Sequence, residues 1–165
     1  MVSFYMKQKV FSLTDRYKFF DEDKRVRYHC IGKFLSLSRT KKLYDTNANK
    51  HLYTLKRKVF SFLPTYFLLE AGGKQVAKIR KRLSFLKQKL DVSSADGDML
   101  IEGNVWAHDF HVSSNNRHVL DVHKKLIAWG DTYEINIHDE AKAPFYLGLV
   151  VMIDDCLHNR KQRHQ

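Results

Sequence analysis

Eight cations are spaced as if to do chemistry: Lys7, Lys9, Lys33, Lys56, Lys58, Lys78, Arg80 and Arg82. Most recur in sets two residues apart, the interval that puts side chains on one face of a β-strand. Rows of ammonium and guanidinium groups at that interval suit phosphate oxygens, on anionic lipid head groups or on a nucleic-acid backbone. The bland alternative is a solvated lysine-rich wall that serves solubility. Specific nucleic-acid reading is disfavoured, because the chain holds neither an RNP-type aromatic signature nor a helix-turn-helix pattern.

Other reactive side chains are less suggestive. His108 and His111, like His118 and His123, invite a metal reading. Residues three apart on a strand point to opposite faces, which places His108 and His111 poorly for one ion. Neither Cys-x-x-Cys nor His-Glu-x-x-His occurs. No metal and no cofactor are expected. Gly-x-Gly-x-x-Gly, Walker and Gly-x-Ser-x-Gly loops are also missing. Cys30 and Cys156 lack a nucleophile's spacing and read as separate buried thiols of a reducing compartment. An enzyme is not expected, although carboxylates alone can suffice for catalysis. Asp109 and Asp131, near Trp106 and Trp129, read as caps of tight turns.

The elements that position these residues emerge from a repeat. Lys9-Val-Phe-Ser-Leu13, Lys33-Phe-Leu-Ser-Leu37 and Lys58-Val-Phe-Ser-Phe62 are its clearest copies. With Leu13, Leu37, Phe62, Leu86, Trp106 and Trp129 as anchors, the spacings are 24, 25, 24, 20 and 23 residues. Six residues after the anchors stand Phe19, Leu43, Leu68, Val92, Val112 and Ile135, all apolar. Seven before them stand Met6, Cys30, Leu55, Ile79, Met99 and Val122, and three before them Val10, Phe34, Val59, Leu83, Gly103 and Leu126. Steps of two are strand periodicity with one face buried. Turn clusters such as Asp45-Thr-Asn-Ala-Asn49 and Ser113-Ser-Asn-Asn116 separate the copies. Six hairpins make about twelve antiparallel strands, best closed into a barrel that leaves no edge.

Such a barrel is too wide for its own side chains to fill, since about eight strands already leave an interior they just fill. Ala143–Ile153 is apolar all round, with Pro144 at its start and Asp139-Glu140 upstream. It is too short to span a bilayer and should run through the barrel as a helix. The column five before each anchor, Gln8, Gly32, Arg57, Lys81, Ile101 and Lys124, breaks the apolar rule at inward parity. Either these cations approach Asp154, Asp155 or the helix C-terminus, or a β-bulge near each anchor turns them outward.

The charge is uneven. Of the net +11, residues 1–49 carry +6, residues 50–90 carry +10, residues 91–157 carry −8 and the tail 158–165 carries +3. With 165 residues and 44% hydrophobic content, the chain suits one folded domain rather than disorder. Lysines interrupt the N-terminal apolar residues at once, so no signal peptide is expected. A cytoplasmic protein follows, peripheral to a membrane if the basic row is used.

Lys7-Gln-Lys-Val-Phe-Ser-Leu13, Trp106-Ala-His-Asp-Phe110, Trp129-Gly-Asp-Thr-Tyr-Glu-Ile135 and the terminal apolar helix together resemble the LURP-one-related (YxjI-type) family. That resemblance implies the Tubby C-terminal-like barrel, shared in outline with phospholipid scramblases: twelve strands around a central hydrophobic helix. Tubby domains bind phosphoinositide head groups, but no motif here matches their lipid-site residues.

The expectation is a mainly β, closed twelve-stranded antiparallel barrel built from six hairpins. One domain spans 1–158, with a buried helix over about 143–157 and a polar tail at 159–165. Functionally, it reads as a non-catalytic cytoplasmic module that contacts anionic phospholipid head groups through its basic face. The alternatives are a protein-interaction or structural barrel and, less favoured, non-specific nucleic-acid binding.

Overall fold

The computed structural model describes residues 1–9, 16–32, 40–82, 89–95, 97–127 and 130–158. Their strands are β1 (Val2–Lys9), β2 (Arg16–Phe20), β3 (Val26–Gly32), β4 (Lys41–Asp45), β5 (Lys50–Arg57) and β6 (Thr65–Glu70). The second half comprises β7 (Gln75–Arg82), β8 (Lys89–Ser94), β9 (Gly97–Asn104), β10 (Asp109–Ser114), β11 (Arg117–Ile127) and β12 (Gly130–Ile137). Every strand pairs antiparallel with its sequence neighbours, and β12 closes on β1 through Val2↔Ile137 to Met6↔Tyr133. Among the described strands none is left as an edge.

The repeat columns become the inner wall. The columns seven before and six after the anchors are buried in all six copies. The column three before the anchors behaves differently where it is described: Val59 and Gly103 are exposed. Strand β5 stops at Arg57, so Val59 falls beyond the wall, where alternation no longer implies burial.

The turns use local chemistry. Asp45 accepts backbone N–H bonds from Asn47 and Ala48. Asn115 and Asn116 take φ of 50° and 59°, the paired positive values of a two-residue hairpin turn. Four hairpins carry a register shift in one repeat position, immediately after Phe19, Leu43, Leu68 and Val112. Each shift inserts an extra residue opposite, namely Arg27, Leu52, Val76 and Val119, ten before the next anchor. These are β-bulges, which sharpen the bend of a strand and break its alternation.

Helix α1 (Ala143–His158) fills the interior. Tyr146, Leu147 and every residue from Leu149 to Cys156 are buried, so over this span the helix has no solvent face. It lies closest to β5, β6 and β7. A Cβ on Gly148 would meet Leu68 Cδ1 at 3.0 Å, so glycine permits that approach. Asp139 caps the short 3-10 turn Glu140–Lys142 that feeds the helix, accepting from the Ala141 N–H. Among the described residues, no helix is long and apolar enough to cross a membrane.

Candidate functional site

The outer cations fall on different walls. In a closed ring of twelve strands, β1 and β7 lie six strands apart, on opposite sides. Half-buried Lys7 on β1 therefore cannot face the same plane as Lys78 and Arg80 on β7. Lys33 lies outside the described residues, and the side chain of Lys9 is not among those described.

The others converge on β5–β7. Lys56 and Lys78 both sit opposite Phe67 of β6, making an outer row of cation, ring and cation. One step toward the barrel end, the Lys58 N–H donates to the Thr65 carbonyl, and Thr65 pairs with Arg80. Lys56, Lys58 and Arg80 are exposed and Lys78 is half-buried. Among the described residues, none of these four is in an ion pair. Arg82 differs: its guanidinium grips Asp91 at 2.7 and 3.1 Å, which offsets its charge.

The sequence pattern missed what lies beyond this row. In the β5–β6 connection Phe60 is 92% exposed and Phe62 93%, with Val59 beside them. Phe62, an anchor of the repeat, projects from the barrel at this hairpin's connection. The loop itself is bonded: Ser61 Oγ and Thr65 Oγ1 both donate to the Leu63 carbonyl, and the Lys81 N–H donates to that of Pro64. Two rings are thus held out at the end of a cationic wall.

A second charged cluster lies inside the same barrel end. Four residues after the anchors come Tyr17, Lys41 and Tyr66, and they surround the last turns of α1. The Tyr17 hydroxyl lies 2.8 Å from Asp154 Oδ2 and 3.1 Å from Asp155 Oδ1. Lys41 Nζ donates to Asp155 Oδ1 at 2.5 Å, and the Tyr66 hydroxyl donates to the Asp155 carbonyl at 3.2 Å. His108, held at φ 52° after the 3-10 turn Val105–Ala107, places Nε2 2.9 Å from Asp154 Oδ1.

Burial raises the Asp155 pKa despite the Lys41 ammonium, and burial followed by the Asp155 and Asp154 charges raises that of Tyr17 well above its ordinary value. With Lys41 3% and Asp154 2% exposed, the cluster is closed to a substrate. Its evident work is to seat the helix C-terminus, where exposed carbonyls favour positive charge.

This cluster also decides the alternatives for Arg57, Lys81 and Lys124. Lys41 pairs with Asp155. The pairings of β5 with β6, β7 with β8 and β11 with β12 run in unbroken register, so no bulge turns the three outward. They keep inward parity at the barrel mouth: Arg57 and Lys81 are half-buried, with their charges acting on Cys156, and Lys124 is exposed.

The turn-cap reading of Asp109 is corrected, since it sits on β10 and its carboxylate bonds His123 Nδ1 at 2.8 Å across to β11. Trp129 and the tail 159–165 lie outside the described residues, and the side chains of Trp106 and Asp131 are not among those described.

Known proteins share this architecture. A family model described as LURP-one-related matches residues 2–154. The uncharacterized protein YxjI of Bacillus subtilis (strain 168) is 30% identical over 159 residues, covering 96% of both chains. An X-ray structure of a protein from Arabidopsis thaliana superposes with a TM-score of 0.68 at 15% identity. It covers 93% of this chain and 91% of the other, a likeness of fold.

Proposed function

The chain belongs to the LURP-one-related family, and on that premise we propose that it is a non-catalytic binding module whose β5–β7 wall contacts anionic phospholipid head groups at a membrane surface. The observation that carries this reading is the placement of Phe60 and Phe62, almost wholly exposed, beside Lys56, Lys58, Lys78 and Arg80. Exposed aromatic rings on a basic surface suit the boundary between head groups and acyl chains.

The magnitudes are sufficient. Cations near an anionic leaflet contribute about 1 kcal/mol each, or about 4 kcal/mol for four. Partial burial of two phenylalanines adds roughly 3–4 kcal/mol. Together these reach the order of micromolar affinity, which suits reversible peripheral binding.

The test is co-sedimentation with phosphatidylcholine vesicles, with and without about one-third phosphatidylserine. Binding to the anionic vesicles alone, reduced in both K56E/K58E and F60S/F62S, supports the reading. Failure to bind, or equal pelleting with neutral vesicles, refutes it in favour of a protein-interaction or structural barrel. Equally tight, salt-sensitive capture of duplex DNA would favour non-specific nucleic-acid binding instead.

A further inference from the structure

On the wall opposite β5 and β6, near where α1 enters the barrel, two imidazoles flank one carboxylate and a third ring stacks on one of them. Asp121 of β11 lies opposite His111 of β10 and Asn136 of β12. His118 Nε2 is 2.6 Å from Asp121 Oδ1, and His138 Nε2 is 3.2 Å from Asp121 Oδ2. The His118 ring lies between those of His111, on which it stacks, and His138, to which it is tilted, with centroids 5.0 Å away on each side.

The bulge creates this arrangement. His118 and Asp121 are three apart, and on a regular strand they would point to opposite faces. The extra residue Val119 restores them to one face. The equivalent bulge at Leu52 does the same for His51 and Thr54, whose side chains bond at 3.0 Å. His138 follows β12, and its N–H donates to the Val119 carbonyl, so the bulged residue also locates the third ligand.

We propose that His118, Asp121 and His138 form a binding site for a divalent late first-row metal ion of the zinc class. The ligand chemistry fits: two imidazole nitrogens and a carboxylate, with coordination positions left open, are a common protein set for such ions. The distances fit as well. Ligands bound at about 2.0–2.1 Å in tetrahedral geometry lie roughly 3.3 Å apart. Here one donor atom from each residue lies within 4.8 Å of the others, so small side-chain rotations suffice.

His118 and His138 are exposed and line a cavity of about 530 Å³ together with Arg117, Asp139, Lys142 and Tyr146, which leaves room for water ligands.

A bound ion would tie the β10–β11 hairpin to the segment that leads into α1. This inference does not depend on the lipid reading, because the two sites lie on opposite walls. The test is titration of the whole chain with Zn²⁺ by calorimetry, and with Co²⁺ by visible absorption. One tight equivalent with tetrahedral-type Co²⁺ bands is expected. Its affinity should fall more than about 100-fold in H118A/H138A and in D121N. H123A serves as the control and should bind as the parent does.

Thermal melts of each apo variant establish that it is folded. No tight equivalent in the parent, or one retained in both H118A/H138A and D121N, would overturn the proposal and leave only surface His–Asp bonds.

Discussion

Lys41 and Asp155, 114 positions apart, meet inside the barrel with Nζ and Oδ1 2.5 Å apart. This is the pair that fastens the end of α1 to strand β4. Removing one partner of a buried pair leaves a charge without compensation, typically at a cost of 3–5 kcal/mol. Lys41→Met should therefore lose about 3–5 kcal/mol in urea unfolding, and Lys41→Met with Asp155→Leu should recover much of it. A loss below about 1 kcal/mol would show the pair to be incidental.

The same variant should respond to acid in the reverse of the usual direction. The Asp155 pKa is already raised by burial, and losing Lys41 raises it further. Between the unfolded and folded values the folded chain holds the proton more tightly, so stability falls as pH rises and recovers as pH falls. Denaturation midpoints for Lys41→Met at neutral and mildly acidic pH would show this. A midpoint that drops steadily with acid would contradict it.

Burial pushes the Cys156 thiol up to about 11, and Cys30 is buried too. At pH 8 the native protein should react with Ellman's reagent slowly, and both thiols should react at once in denaturant. Above pH 9 the unfolded chain ionises first, so the fold loses stability between pH 9 and about 11. Rapid labelling of native protein would mean that the barrel end opens readily.

Gly103 holds φ at 111°, and a Cβ there would lie 2.6 Å from the Asp109 carbonyl oxygen. The obstacle is backbone and cannot rotate away. Gly103→Ala should destabilise by at least about 2 kcal/mol, read from the urea midpoint. Gly72→Ala, with open space around its Cβ position, should stay within about 0.5 kcal/mol.

Salt should separate the two halves of the membrane surface. Charge attraction is screened over about 10 Å at 0.1 M salt, whereas burial of Phe60 and Phe62 is not weakened by salt. Affinity of K56E/K58E for anionic vesicles should depend less on salt than that of the parent. F60S/F62S should bind more weakly at every salt concentration with the parent's dependence retained. The opposite assignment would place the contact elsewhere on the barrel.

How far the sequence foretold all this depends on the residue. Met6, Leu55 and Val122, or Phe19, Leu68 and Ile135, could be assigned to the core because alternation and a repeat of about 24 residues agree on them. Lys41 shares its column with Tyr17 and Tyr66, so its inward position was readable, but its partner 114 positions away was not. Val59 misled because periodicity does not mark where a wall ends and a loop begins. His118 and Asp121 were hidden by Val119, since one inserted residue reverses the parity on which strand reasoning rests. The basic row, continuous in sequence, is divided by the ring itself, which carries Lys7 and Arg80 to opposite sides.

The burial of α1 also bears on how the chain comes off the ribosome. The element that fills the barrel is translated after all twelve strands, and β1 waits for β12 before it has both neighbours. Until then Met6, Leu43, Leu68 and Val112 line a hollow with nothing in it, and two strands remain unpaired along one side. Such an intermediate is slow to resolve and prone to associate with its own kind. A chain arrested just after Ile137 should therefore accumulate in aggregates, and supplying the α1 segment as a separate peptide during refolding should rescue part of it.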